Sequence, residues 1–224
     1  MERHFDEELS DLKKEILKMG ALVEEPIYRA VEALKALDAD KAKQVISDDQ
    51  AVDELELKIE EQCLDLVALR QPMAFDLRFI IMAMKITNEL ERMADLGVDI
   101  AQRVLAISNK PHLKPLVDIP KLTQIAKAMT HDVIDAFLNK DVTLAGKVIQ
   151  MDTEADKLRN LIQEELIKDY MEKNTATVSR AVPLLLIARH LERICDHATN
   201  IAEEVIYMSS AKVVKHHPEK LAGE

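Results

Sequence analysis

Acidic side chains recur in this chain at a spacing of four. Asp49 and Asp53 form one pair, Glu91 and Asp95 a second, Asp152 and Asp156 a third, and Glu192 and Asp196 a fourth. Asp99 extends the second pair by one step, and Asn200 stands at the same step after the fourth. On a helix turning about 100° per residue, positions four apart differ by only about 40°. Carboxylates so placed point the same way and can share a hard or borderline cation. Without a cation, like charges at that spacing cost about 0.2–0.5 kcal/mol per pair. Two other readings compete. One is a solvated face with Arg92, Arg103 and Arg193 as ion-pair partners, each pair contributing about 0–1 kcal/mol. The other is acid–base catalysis, which needs a dry pocket to perturb the carboxylates. Any single pair reads best as a solvated face, but the repetition at matching places brings metal binding level with it.

The matching places come from an internal repeat, which sets the architecture. Asn88–Ser108 and Arg189–Ser209 share eight of 21 aligned residues, and Val45–Ile59 and Val148–Ile162 share six of fifteen. The offset is 101 in the first comparison and 103 in the second, so two residues were gained or lost in an intervening turn. Turn residues cluster at Asp38–Asp40, Gln71–Pro72, Asn109–Pro120, Asn139–Asp141 and Lys173–Thr177. They divide the chain into six helices, at about 4–37, 40–70, 75–108, 119–138, 142–172 and 178–209. Helices of about 30 residues span about 45 Å and indicate rod-like bundles. Pro26 and Pro183 fall inside helical patterns, where each should kink its helix or mark an irregular start.

The third helix carries a sustained seven-residue seam: Phe79, Ala83, Ile86, Leu90, Met93, Gly97, Ile100, Val104 and Ile107. The sixth repeats it with Ile187, Leu191, Ile194, Ala198, Ile201 and Val205. Gly97 costs about 1 kcal/mol against Ala in helix propensity, a cost that close approach of a neighbouring backbone would offset. With Glu91 set at 0°, the seam centres near −130°, by about 100° per residue. The acids are therefore expected on the outward surface of a lone bundle, where catalysis finds no dry pocket. The fold expected is all-α, two tandem three-helix bundles from an internal duplication, the first over residues 1–110 and the second over 111–224 with a short C-terminal tail.

Composition narrows the classes. Four Gly, seven Pro and 3% aromatic residues leave little room for turn-rich β structure. No run of about 18 apolar residues is present to span a bilayer. The charged start MERHFDEELSDLKKE lacks the apolar core of a signal peptide. Cys63 and Cys195 form no CxxC pattern and read as reduced, buried thiols of a cytoplasmic protein rather than nucleophiles. A net charge of −11 argues against nucleic acid, which demands a basic face. A ferritin-like di-iron centre requires Glu-x-x-His pairs, and none of the seven histidines has Glu three positions before it. No HExxH or P-loop is present either. His190 and His197 read as core or boundary side chains, and the ten Met as core filler.

The segments Gln71–Arg78 (QPMAFDLR), Leu90–Asp95 (LERMAD), Leu191–Asp196 (LERICD), Asn200–Ala202 (NIA), Ile206–Tyr207 and Val214–His216 (VKH) together resemble the PhoU family of bacterial phosphate-signalling accessory proteins. The resemblance spans essentially the whole chain. It implies two three-helix bundles, usually dimeric, with clusters of multivalent metal (iron, zinc or similar) on E/DxxxD motifs. Those motifs map to Asp49, Asp53, Glu91, Asp95 and Asp99, then to Asp152, Asp156, Glu192, Asp196 and Asn200. It further implies a non-enzymatic negative regulator of the phosphate-starvation response, placed between the ATPase subunit of a phosphate ABC transporter and a phosphate sensor histidine kinase. Such a protein reaches the membrane only through its protein partners. A metal-dependent phosphohydrolase or a metal-storing helical protein is the alternative. The chain departs from the family pattern where a small residue, often Gly, precedes the motif Asp: here Ala94 and Cys195. Asn200 also replaces the third acid, which is expected to weaken the second site.

Overall fold

The computed structural model describes residues 2–210. All regular structure among them is helical: α1 Glu2–Ala36, α2 Ala39–Ser47, α3 Gln50–Arg70, α4 Ala74–Ile107, α5 Asp118–Asn139, α6 Val142–Glu165 and α7 Val178–Ser210. The chain folds as two three-helix bundles in tandem, α1, α3 and α4 with the short α2, then α5, α6 and α7. Residues 108–117 join them without helix. The segment Val214–His216 lies outside the described residues.

The same turn opens the second element of each half. Leu37 and Lys140 adopt φ of 51° and 59°, the left-handed conformation that ends a helix. The next N–H then bonds back, Asp38 to the Ala33 carbonyl at 2.9 Å and Asp141 to that of Ala136 at 2.8 Å. Each aspartate also caps the helix that follows, Asp38 Oδ1 accepting from the Lys41 N–H at 3.0 Å and Asp141 Oδ1 from that of Leu144 at 2.9 Å.

Two expected helices prove discontinuous. The one expected over 40–70 breaks at Asp48–Asp49 into α2 and α3. Ser47 Oγ donates to the Gln44 carbonyl at 3.0 Å, and Asp48 accepts from Arg29 Nη1 of α1 at 2.7 Å. Ser47 competes with the helical backbone in this way, and the Arg29 ion pair holds Asp48 at the break. The repeat position of Asp48 is Met151, which has no such competitor, and α6 runs through unbroken. The helix expected over 142–172 ends as α-helix at Glu165 and continues as a π-helical turn, Leu166–Met171. Pro26 and Pro183 both lie inside their helices, α1 and α7.

Every residue of the expected α4 seam is buried, as are the six named on α7. α4 against α7 is the most extensive helix pairing in the fold, and the α4 seam also lies against α1, where Gly97 meets Ile27. α1 packs likewise on α5. One continuous apolar core therefore runs through both bundles. Phe79 and Phe137 stack across it at 4.8 Å between centroids. The outer helices α3 and α6 flank this central layer on α4 and α7 respectively.

The backbone approach expected at Gly97 is found, the Ile27 nitrogen of α1 lying 3.6 Å from where a methyl would stand, although that methyl would fit in ordinary contact. The crowded glycine is Gly20 of α1, where a methyl would overlap Ile134 Cδ1 of α5. The overlapping atom is the free end of the Ile134 side chain, which can turn aside, so in Gly20→Ala the propensity gain and the repacking cost nearly cancel and stability should change by less than about 1 kcal/mol. Gly146→Ala, with nothing within 4 Å, should raise stability by about 0.5–1 kcal/mol. Urea denaturation of both variants checks this, and a larger gain in Gly20→Ala than in Gly146→Ala would contradict it.

Candidate metal centres

The first cluster forms where α3 packs on α4. Asp49, Asp53 and Glu56 follow one another at steps of four and three along one side of α3, and Glu91 and Asp95 face them from α4. Burial is the main influence on three of them. It pushes the Glu91 carboxyl up to about 7, helped by the charges of Asp95, Glu56 and Asp53. It also raises Asp49, which feels Asp53 and Asp95. Glu56 rises through burial and Glu60, while a hydrogen bond with Asn88 opposes the shift. The acids do not all stand on the fully solvated surface expected of them: Asp53 and Asp95 are exposed, but Asp49, Glu56 and Glu91 are partly buried. Nor do the expected arginines neutralise them. Arg92 donates to Asn88 Oδ1 at 3.2 Å and Arg103 to Gln102 Oε1 at 3.4 Å.

The second cluster forms in the equivalent place, between α6 and α7. Burial pushes Asp152 up to about 6, with further contributions from Asp196, Asp156 and Glu192. Its Oδ1 is buried and has no hydrogen-bond partner. Asp196 is raised by burial, then Glu192 and Asp156, and is lowered by His197 and Arg159. Arg159 donates to Glu192 Oε1 through Nε at 3.2 Å and Nη2 at 2.8 Å. Cys195 next to the cluster and Cys63 on the buried face of α3 are both free thiols, and burial pushes Cys63 up to about 12. Both are inert packing groups at neutral pH.

Asp99 and Asn200 belong elsewhere. Asp99 faces His190 across the α4–α7 seam at 3.9 Å, and Asn200 Nδ2 donates to Glu89 Oε2 at 3.1 Å. These contacts are repeat-related, because Glu89 aligns with His190 and Asp99 with Asn200. The cause is helical drift: two steps of four rotate a side chain about 80°, enough to carry it from the α3 side of α4 to the α7 side. His197 shares the seam, with its Nδ1 2.7 Å from Glu89 Oε2.

Sequence reasoning missed Glu56, Arg159 and Glu89. Glu56 and Arg159 continue the Asp49/Asp53 and Asp152/Asp156 rows by three, a step as characteristic of one helix face as four. Glu89 gave no signal without knowledge of which helix α4 meets.

The donors in the first cluster are all carboxylate oxygens, which suits hard cations better than zinc, a metal that favours nitrogen and sulfur. Among the described residues, no three His, Cys, Asp or Glu side chains are grouped closely enough as they stand to hold a metal ion. Binding therefore requires rotamer changes, for which the exposed Asp53 and Asp95 are free.

Comparison with known proteins agrees with this duplicated plan. The profile of the PhoU domain matches twice, over residues 16–104 and 119–205. The chain belongs to the PhoU family. It is 41% identical over 217 residues to the phosphate-specific transport system accessory protein PhoU homolog of Aquifex aeolicus, covering 97% of this chain and 98% of that one. The crystal structure of PhoU from Pseudomonas aeruginosa superimposes with a TM-score of 0.88 at 35% identity, over 93% of this chain and all of that one. That of the phosphate transport system regulatory protein PhoU from Streptococcus pneumoniae gives 0.87 at 30% identity, over 94% and 99%.

A raised carboxyl has a definite consequence for stability. Below its ordinary value of 4.5 Glu91 is protonated in both folded and unfolded chains, and between there and about 7 only the folded chain retains the proton. Stability contributed by this group therefore falls as pH rises through that window, and the cost is complete above it. In metal-free protein, Glu91→Gln should raise the melting temperature at pH 8 and change it little at pH 4.5. An equal change at both pH values would contradict the assignment.

Proposed function

We propose that this chain is a negative regulator of phosphate-starvation signalling and phosphate uptake. It acts as a cytoplasmic adaptor, a homodimer that links the ATPase subunit of a phosphate ABC transporter to a phosphate sensor histidine kinase. The observation that carries the reading is the chain-long kinship with proteins named phosphate transport accessory or regulatory proteins, extending through both repeats. Among the described residues no helix is long and apolar enough to cross a membrane, and the adaptor reaches the membrane through its partners.

Within this reading, Asp49, Asp53, Glu56, Glu91 and Asp95 would hold a multivalent cation between α3 and α4. Asp152, Asp156, Glu192 and Asp196 form the corresponding set between α6 and α7. A bound cation would supply positive charge to offset the repulsion within each set, and the carboxylates would tie the outer helix of each bundle to the central layer through it.

In cells lacking the gene, a phosphate-starvation promoter should fire even in ample phosphate. The parent chain should silence it, and a Glu91→Ala/Asp95→Ala variant that folds normally should not. A promoter that stays silent without the gene would contradict the regulatory role. The alternative, a metal-dependent phosphohydrolase or metal store, draws on the raised Glu91 carboxyl, a group titrating where a general acid or base works. Turnover of p-nitrophenyl phosphate by metal-loaded protein, lost in Glu91→Gln, would favour the hydrolase.

A further inference from the structure

The two acidic clusters are not copies of one another. At the 103-residue offset Asp152 falls on Asp49 and Asp156 on Asp53, but Arg159 falls on Glu56. A carboxylate in the first half is thus a guanidinium in the second. Arg159 is only 26% exposed and Glu192 13%, and the pair is joined by two hydrogen bonds to a single oxygen. The Arg159 Nη2 also lies 4.0 Å from Asp156 Oδ1. Glu91, the counterpart of Glu192, has no comparable partner. The charges acting on it are mostly negative, and Arg92, the weakest influence, is turned to Asn88 instead.

We infer that Arg159 is the built-in counter-ion of Glu192 in the second cluster, so that a multivalent cation binds more tightly between α3 and α4 than between α6 and α7. The inference rests on the reading of the clusters as metal centres and concerns only how the two differ. In the first half, five carboxylates gather with no guanidinium bonded to them, so an incoming metal ion has no such group to displace. In the second half, an ion must first displace a guanidinium from Glu192. That exchange gives up charge-assisted hydrogen bonds at a partly buried site, among the stronger polar contacts a protein makes. Arginine keeps its charge at any physiological pH, so the block does not titrate away. The asymmetry expected from Asn200 has a different origin, since Asn200 lies in the seam and Arg159 in the cluster.

The test is calorimetric titration of the full metal-free chain with Mn²⁺ alone. The parent should show one tight binding step, with any second step roughly tenfold or more weaker. Arg159→Glu, which restores the first half's pattern, should gain a second tight step, and Arg159→Met should strengthen the weak step by a smaller factor. Glu56→Arg should weaken the parent's tight step by roughly tenfold or more. Should Arg159→Glu fail to fold by circular dichroism, Arg159→Met and Glu56→Arg carry the test. Two equal tight steps in the parent, or Arg159 variants whose isotherms match the parent's, would overturn the inference while leaving the clusters as metal centres. A parent that takes up no Mn²⁺ would overturn the metal reading and this inference with it.

Discussion

The apolar seam between α4 and α7 is the contact on which the other features depend. Both helices carry a seven-residue apolar repeat, both repeats are buried in the core, and α4 on α7 is the most extensive pairing in the fold. Such repeats pack helices at small crossing angles along their whole length. Once α4 and α7 are paired, α3 and α6 are left to cover the remaining flanks of the layer. The acids on α4 and α7 are then caught at the edges of these outer contacts. Their partial burial is a by-product of where the central seam places the outer helices.

That burial turns a charged surface into a chemically distinctive one. Exposed acids repel weakly because water screens them. At the α3–α4 junction the screening is reduced and no Lys or Arg ion pair compensates, so Glu91 retains its proton to about 7. The α6–α7 junction meets the same difficulty with Arg159. The polar contacts of the seam follow a different logic. Glu89 with Asn200 and His197, and Asp99 with His190, join the two halves to each other rather than an outer helix to the layer. Each half of the duplication thus holds one charged feature that faces its twin and one that faces its own outer helix.

The fold was legible in the sequence because its causes are periodic. The apolar seams, the repeat and the turn residues each announce themselves over many positions, and the bundles follow from them. What escaped were events set by single contacts. The break at Asp48 depends on Arg29, nineteen residues away on another helix. The π-helical turn after Glu165 has no pattern in apolar spacing. Gly97 in the seam does meet the backbone of α1, but the crowding at Gly20 escaped, because its neighbour Ile134 is remote in sequence. The candidate site divides in the same way. Asp49, Asp53, Glu91, Asp95 and their second-half counterparts follow from spacing, but Asp99 and Asn200 required knowing that α7 lies one rotation further around α4.

On the proposed reading, carboxylates meeting between α3 and α4 form the chain's principal cation site, and Asp99 takes no part in it. Anomalous diffraction from crystals of the full chain grown with Mn²⁺ tests this most directly. A strong anomalous peak is expected between α3 and α4, within coordination distance of Glu91 and at least two of Asp49, Asp53, Glu56 and Asp95. A strongest peak at the α4–α7 seam beside Asp99 and His190, or none between α3 and α4, would contradict it.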